Sequence, residues 1–363
     1  MHISELIATP TLLLDKTLCR KHIERLSNKA RVLGIHFRPH MKTPQSHEIA
    51  RWLKDYHIDA ITVSSLKMAH YFATDGWQDI TVAFPVNIRE IAAINELASK
   101  IKLQLCVENE AGIQALQQLV KHPVSLWLKI NIGNNRTGLT VAQTDRLRQL
   151  IQQIESSDKL QPEGFLGHAG QSYQSRSYAT IEKVHRESLR VMQFLKADFP
   201  KMKVSVGDTP TTSVMSNFPG VDEIRPGNFF FYDLMQYYIG SCQVEDIAVA
   251  MACPVVAKHY GREEIVLYGG AVHFSKDHLL LNGQTPCYGL VARRASKGWV
   301  LDPSEAYLCR LSQEHGIVKA PKSLLEETEI GSLMYILPVH SCLTANLMKQ
   351  YLTLDGEWIS MMS

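Results

Sequence analysis

Eight short extended segments alternate with amphipathic stretches over the first two-thirds of the chain, and this alternation constrains the fold more than any other feature. The strand-like segments are Ile35–Lys42, Ala60–Ser64, Ile80–Pro85, Leu103–Glu108, Leu126–Ile132, Gly164–His168, Val204–Gly207 and Glu223–Arg225. Between them, Asn87–Lys100, Glu110–Val120, Val141–Ile154 and Ser177–Ala197 place apolar residues three and four apart, the spacing of a helix packed on a sheet. Eight strands separated by helices predict an α/β fold with a closed parallel (β/α)8 barrel of TIM type rather than an open doubly wound sheet.

After Asp233 the texture changes. Short Val-, Ile- and Tyr-rich runs broken by Gly and Pro, such as Glu264–Tyr268, Cys287–Ala292 and Leu333–Leu337, predict a second, mostly antiparallel β domain. Thr11–Leu14 reads as a strand that joins this second domain, because a ring of barrel helices offers it no edge. A helix from Asp15 to Leu33 follows, capped by Asp15 and stopped by Gly34. The expected division is a barrel over residues 16–240 and a β domain over 241–363 together with 1–15.

Charge and cysteine usage remove several classes of partner. Lys plus Arg number 38 and Asp plus Glu 36, with no basic stripe, so neither nucleic acid nor a membrane surface is expected. The longest apolar run, Ile247–Ala257, is too short to span a bilayer and contains Pro254. The first residues lack the basic-then-apolar pattern of a signal peptide, and seven cysteines fall without paired spacing. A reducing, cytoplasmic setting is the expectation.

The chemistry is read at the carboxyl ends of the strands, where barrels of this kind place their active sites. Lys42 ends the first strand, in Arg38-Pro39-His40-Met41-Lys42-Thr43. A buried lysine deprotonates readily and forms Schiff bases with carbonyl cofactors. Gly207 and Thr209 follow the seventh strand, and Gly227 and Asn228 follow the eighth. These are the two loops on which barrels commonly bind phosphate through exposed backbone N–H groups. Arg136 lies beyond the fifth strand, His168 ends the sixth, and Tyr173 lies just past it. A cation and aromatic rings at that rim suit a flat heteroaromatic cofactor.

A last motif, His340-Ser341-Cys342, follows the apolar run Met334–Leu337 and Pro338. In an extended segment, residues two apart point the same way. Imidazole and thiolate on one face grip a borderline-soft divalent metal such as Zn2+. Two protein ligands leave the remaining positions to water or substrate.

Taken in order, Arg38–Thr43, the Gly207–Thr211 loop, Glu223–Asn228 with Phe231-Tyr232-Asp233, and Pro338–Cys342 resemble the D-serine dehydratase and D-threonine aldolase family. Its barrel is of the alanine racemase type, and the resemblance covers essentially the whole chain. It implies pyridoxal 5′-phosphate on Lys42, a C-terminal β domain, a homodimer, and a metal beside the cofactor. In that family the metal ligands are His-x-Cys in the dehydratase branch and His-x-Asp in the aldolase branch, so Cys342 points to a dehydratase. Val339 stands where the family has asparagine before that histidine. The implied activity is a pyridoxal-phosphate- and zinc-dependent lyase of D-serine ammonia-lyase type. Its expected substrate is a D-β-hydroxy amino acid: D-serine, D-threonine or D-threo-3-hydroxyaspartate. Retro-aldol cleavage to glycine and an aldehyde is the alternative, and a non-catalytic pyridoxal-phosphate-binding protein is a second one. A racemase fits less well, because it needs a second base on the opposite face and has no use for a metal.

Overall fold

In a computed structural model that describes residues 3–363, an eight-stranded all-parallel sheet carries the first half of the fold. Its strands are His36–Phe37, Ala60–Val63, Asp79–Pro85, Lys102–Val107, Val124–Ile130, Leu160–Gly167, Lys203–Val206 and Glu223–Ile224. From the second onward each pairs with the next, and the last pairs with the first. A parallel bridge between His40 and Thr62 links the two remaining edges and closes the ring. The expected barrel is present. Most of these strands are buried over most of their length, as expected for a parallel sheet covered on both faces.

The first strand is shorter than the segment Ile35–Lys42 suggests. Only His36 and Phe37 form a ladder, and Lys42 sits in a turn rather than at a strand end. Pro39 is the reason, since it has no N–H to continue the pairing. Its carbonyl still accepts Thr62 N at 2.9 Å, and Met41 N donates to Thr62 O at 2.8 Å. These two bonds fix the backbone immediately before Lys42.

Side-chain caps mark the surrounding helices. Ser65, Asn109 and Ser177 accept from backbone N–H groups at the starts of Leu66–Thr74, Glu110–Leu119 and Tyr178–Asp198. Helix Lys16–Leu33 begins at Asp15, whose Oδ1 accepts Leu18 N at 2.8 Å, and Gly34 follows at φ +66°. The sequence reading assigns no helix to His47–Lys54 or Leu66–Thr74, both of which form. Each is only two or three turns long, near the limit at which periodicity is legible.

The barrel interior is not purely apolar. Arg38 donates to Glu223 Oε2 and to Asp79 Oδ1, both at 2.6 Å. Asp79 also accepts Gln104 Nε2 at 2.7 Å, and Gln104 Oε1 accepts Trp127 Nε1 at 2.6 Å. On the other side, Ser205 Oγ donates to Glu223 Oε1 and accepts Arg225 Nε, both at 2.6 Å. Arg38, Glu223 and Arg225 are each 4% exposed, so every charge in this chain of contacts is neutralised or hydrogen-bonded, as burial demands.

The second sheet has ten strands and is mostly antiparallel. Thr11–Leu14 lies inside it, antiparallel to Val249–His259 and parallel to Gln350–Thr353, as its lack of a barrel edge suggests. Two compact units result. Among the described residues, one comprises 24–42 and 49–227, the other 3–23, 43–48 and 228–363. The apolar run Ile247–Ala257 becomes largely strand, and no described helix is long and apolar enough to cross a membrane.

Candidate active site

In the barrel unit a pocket is lined by Lys42, Arg136, His168, Tyr173, Gly207 and Gly227. Six of the residues singled out from sequence are therefore brought together. His40, Lys129, Asp208 and Arg225 complete its polar lining.

The loop after the seventh strand is rigidly built. Asp208 accepts Thr211 N at 2.8 Å and Thr211 Oγ1 at 2.7 Å, capping the short helix Thr209–Val214. It also accepts Ser172 Oγ at 2.8 Å, which ties this loop to the one bearing Tyr173. A Cβ on Gly207 would lie 2.7 Å from Arg225 O, so only glycine fits there. Thr209 is fully buried, its N–H faces the Tyr173 hydroxyl at 3.4 Å, and its own Oγ1 has no partner among the described residues. A buried hydroxyl without a partner is costly unless something else satisfies it. A phosphate group would. Together with the cavity and Lys42, these features fit pyridoxal phosphate.

Electrostatics hold the histidines neutral. Burial pushes His168 down to about 3, aided by Lys129, Lys42 and Arg136, against a bond from its Nδ1 to Gly207 O that favours the charged form. His40 is likewise driven well below the ordinary range, by burial and then by Lys42, Arg225 and His168. Neutral His40 accepts Lys42 N at its Nδ1, 3.3 Å away, and so steadies the lysine turn.

Lys129 was not singled out from sequence. It is 5% exposed, donates only weakly to Leu166 O at 3.4 Å, and is lowered to about 8 by burial, with Arg225 and Arg136 adding to the effect and Cys106 opposing it. The available signal was a lysine inside Val124–Ile130, a strand buried at every position.

The remaining predicted residues lie in the other unit. Asn228, next in the chain after Gly227, donates from Nδ2 to Asp233 Oδ2 at 2.6 Å, to Ser341 Oγ at 3.2 Å and to Cys342 Sγ at 3.4 Å. His340 and Cys342 lie two residues apart, and the Cys342 sulfur favours the charged form of the His340 ring. The route differs from the extended one expected. His340 is the N-cap of helix Ser341–Met348, and Cys342 lies within its first turn. Pro338 ends the preceding strand, and Asp233 Oδ2 accepts Ser341 N at 2.9 Å, turning the chain into the helix.

Asp277 Oδ2 sits 2.7 Å from His340 Nδ1 and leaves the other ring nitrogen for a ligand, the usual arrangement behind a metal-bound histidine. Burial lowers the affinity of the His340 ring for protons, but Asp277 and Cys342 outweigh it and raise the ring to about 10. Asp277 lies 63 residues from His340 in the chain, with no local motif to announce it. No set of three His, Cys, Asp or Glu side chains among the described residues is arranged to hold an ion. The donor set fits a metal held by two protein ligands, with open positions for water or substrate.

Comparison with known proteins agrees with this geometry. Residues 15–234 match the family model "Alanine racemase, N-terminal domain", and residues 248–354 match "Putative serine dehydratase domain". A D-serine dehydratase of Dictyostelium discoideum is 28% identical, over 96% of this chain and 94% of its own. A D-threo-3-hydroxyaspartate dehydratase of Delftia sp. strain HT23 is 27% identical with the same coverage. Its solved structure superimposes with a TM-score of 0.91 at 25% identity, over 100% of this chain and 99% of that one. The chain thus belongs to the alanine racemase N-terminal domain family, within the branch of D-serine dehydratases and D-threonine aldolases, and is an enzyme of the dehydratase type.

Proposed function

We propose that this enzyme eliminates water from a small D-β-hydroxy amino acid, D-serine, D-threonine or D-threo-3-hydroxyaspartate, releasing a 2-oxo acid and ammonia. Two observations carry the reading, one in each unit: a polar pocket in the barrel lined by Lys42, Gly207 and Gly227, and, in the other unit, His340 backed by Asp277 with Cys342 two residues on. Lys42 is the attachment point for pyridoxal phosphate. Gly207, Thr209, Gly227 and Asn228 form its phosphate loops, and Arg136, His168 and Tyr173 frame the ring. His340 and Cys342 hold a divalent metal, for which a thiolate ligand favours zinc over magnesium or calcium. One solved structure of a D-threo-3-hydroxyaspartate dehydratase, a cysteine-to-alanine mutant 24% identical to this chain, is in a metal-free form, which supports a metal in this chain as well.

When bound, the cofactor supplies an electron sink for the carbon that loses its proton, and the metal a Lewis acid for the β-hydroxyl. The chain's own residues do the rest. Lys42 Nζ would hold the cofactor and would be the base for the Cα proton. His168 and His40 are held neutral and add no positive charge beside Lys42. Arg136, exposed at the cavity mouth, meets the incoming carboxylate. In this reading residues 16–240 bind the cofactor, residues 241–363 with 1–15 carry the metal ligands, and the cytoplasmic enzyme works as a homodimer.

The test is a product assay. Purified enzyme is incubated with D- and L-serine, threonine and 3-hydroxyaspartate, and oxo acid, ammonia, glycine and aldehyde are quantified. Equal oxo acid and ammonia from a D-substrate supports the reading. Glycine plus aldehyde as the main products would replace it with aldol cleavage.

A further inference from the structure

Cys342 Sγ has a closer polar neighbour than Asn228 Nδ2. Thr43 Oγ1 lies 3.1 Å away, nearer than Asn228 Nδ2 at 3.4 Å. Thr43 is fully buried and follows Lys42 directly in the chain. Segment 43–48 belongs to the same compact unit as Cys342. It is pinned there by Tyr351 Oη donating to Pro44 O at 2.8 Å and Met362 N donating to Gln45 O at 2.7 Å.

We propose that Thr43 is a positioning residue for the metal-binding thiolate, holding Cys342 Sγ through a hydroxyl hydrogen bond. The inference rests on the reading of His340 and Cys342 as metal ligands. A metal-bound sulfur is a thiolate and has no proton to give, so the Thr43 hydroxyl must be the donor. A hydrogen bond to the charged form is stronger than a neutral one, and it fixes the direction from which the sulfur lone pairs face the metal. Asn228 cannot substitute for it. Its Nδ2 lies nearer Asp233 Oδ2 and Ser341 Oγ than the sulfur. Thr43 also brings a stiff, β-branched side chain, so its hydroxyl is aimed with little freedom.

The experiment measures Zn2+ affinity of the full-length, cofactor-loaded protein by competition with a chromogenic chelator, for wild type, Thr43→Val, Thr43→Ala and Thr43→Ser. Removing a hydrogen bond behind a metal ligand costs roughly 10–100-fold in affinity. Thr43→Val and Thr43→Ala should both fall in that range, and Thr43→Ser should return to near wild type. Two hydroxyl-free variants guard against one failing to fold. In the Co2+-substituted proteins, losing a donor to the thiolate should move the sulfur-to-metal charge-transfer band to longer wavelength in Thr43→Val but not in Thr43→Ser. Unchanged Zn2+ affinity and an unmoved cobalt band in both hydroxyl-free variants would overturn the inference, as would equal weakening in Thr43→Ser. If wild type itself binds no stoichiometric Zn2+, the ligand assignment of His340 and Cys342 fails instead.

Discussion

Glu223 and Arg225, two residues apart at the end of the last barrel strand, are joined by the Ser205 hydroxyl, which stands 2.6 Å from each. Glu223 Oε2 meanwhile takes Arg38 Nε at 2.6 Å. One carboxylate thus serves two guanidiniums, and the second of them lines the cavity. Breaking a buried pair by removing one charge strands the other, at a cost of about 3–5 kcal/mol. Glu223→Gln should destabilise the folded protein by about that much, seen as a lower denaturant midpoint.

The pH dependence of that loss has a fixed sign. Burial alone would raise the Glu223 carboxyl, but Arg38, His36 and Ser205 bring it down to about 2. The unfolded value is about 4.3. A depressed carboxylate contributes its stability above the unfolded value and loses it as pH falls through the folded one. The difference between wild type and Glu223→Gln should be full at pH 6 and shrink steadily from about pH 4 toward pH 2. A difference that grows on acidification would contradict the assignment.

Thr209→Val separates cofactor binding from folding, because the two effects have opposite signs. The Thr209 hydroxyl is buried without a partner, so replacing it by a methyl group removes a desolvated polar atom. The cofactor-free protein should keep its stability or gain up to about 1 kcal/mol. If the hydroxyl meets the phosphate, retention of the cofactor after dialysis should fall about tenfold. Equal retention would take Thr209 out of the phosphate loop.

Borohydride reduction of the cofactor-loaded enzyme should fix the cofactor permanently to the peptide containing Lys42. The competing candidate is Lys129, which faces the same cavity and is already lowered to about 8 by burial, with Arg225 and Arg136 adding to the effect against Cys106. Peptide mapping of wild type and of Lys129→Met decides between them. Labelling in Lys129→Met should be undiminished.

The barrel was legible in the sequence because short extended segments, most of them largely buried, alternate with amphipathic stretches eight times over. Lys42, Gly207 and Gly227 were legible for a related reason: they fall in the segments that follow barrel strands, where a barrel's mouth will be, although Lys42 lies in a turn and not at the strand end expected. Lys129 and Arg225 are different. They sit in strands or at strand ends amid apolar neighbours, and only the inward direction of the side chain, set by the barrel, gives them a role. Asp277 and Thr43 were beyond reach for a simpler reason. Their partners, His340 and Cys342, are 63 and 299 residues away, and no local pattern encodes such a contact.

The strongest prediction concerns what the metal decides. Hydroxide is a poor leaving group, so elimination needs the β-hydroxyl polarised, whereas removal of the Cα proton by Lys42 does not. Asp277→Asn should weaken metal binding roughly 10–100-fold by freeing the His340 ring. Cys342→Ala, or exhaustive chelation, should abolish oxo acid formation while leaving cofactor bound to the barrel. Exchange of the substrate's Cα hydrogen with solvent deuterium should persist in both metal-depleted proteins, measured by NMR at the Cα position. Persistence of exchange with loss of oxo acid places the metal after proton removal and before departure of the hydroxyl group. Oxo acid production at the wild-type rate by fully metal-free enzyme would remove the metal from the reaction.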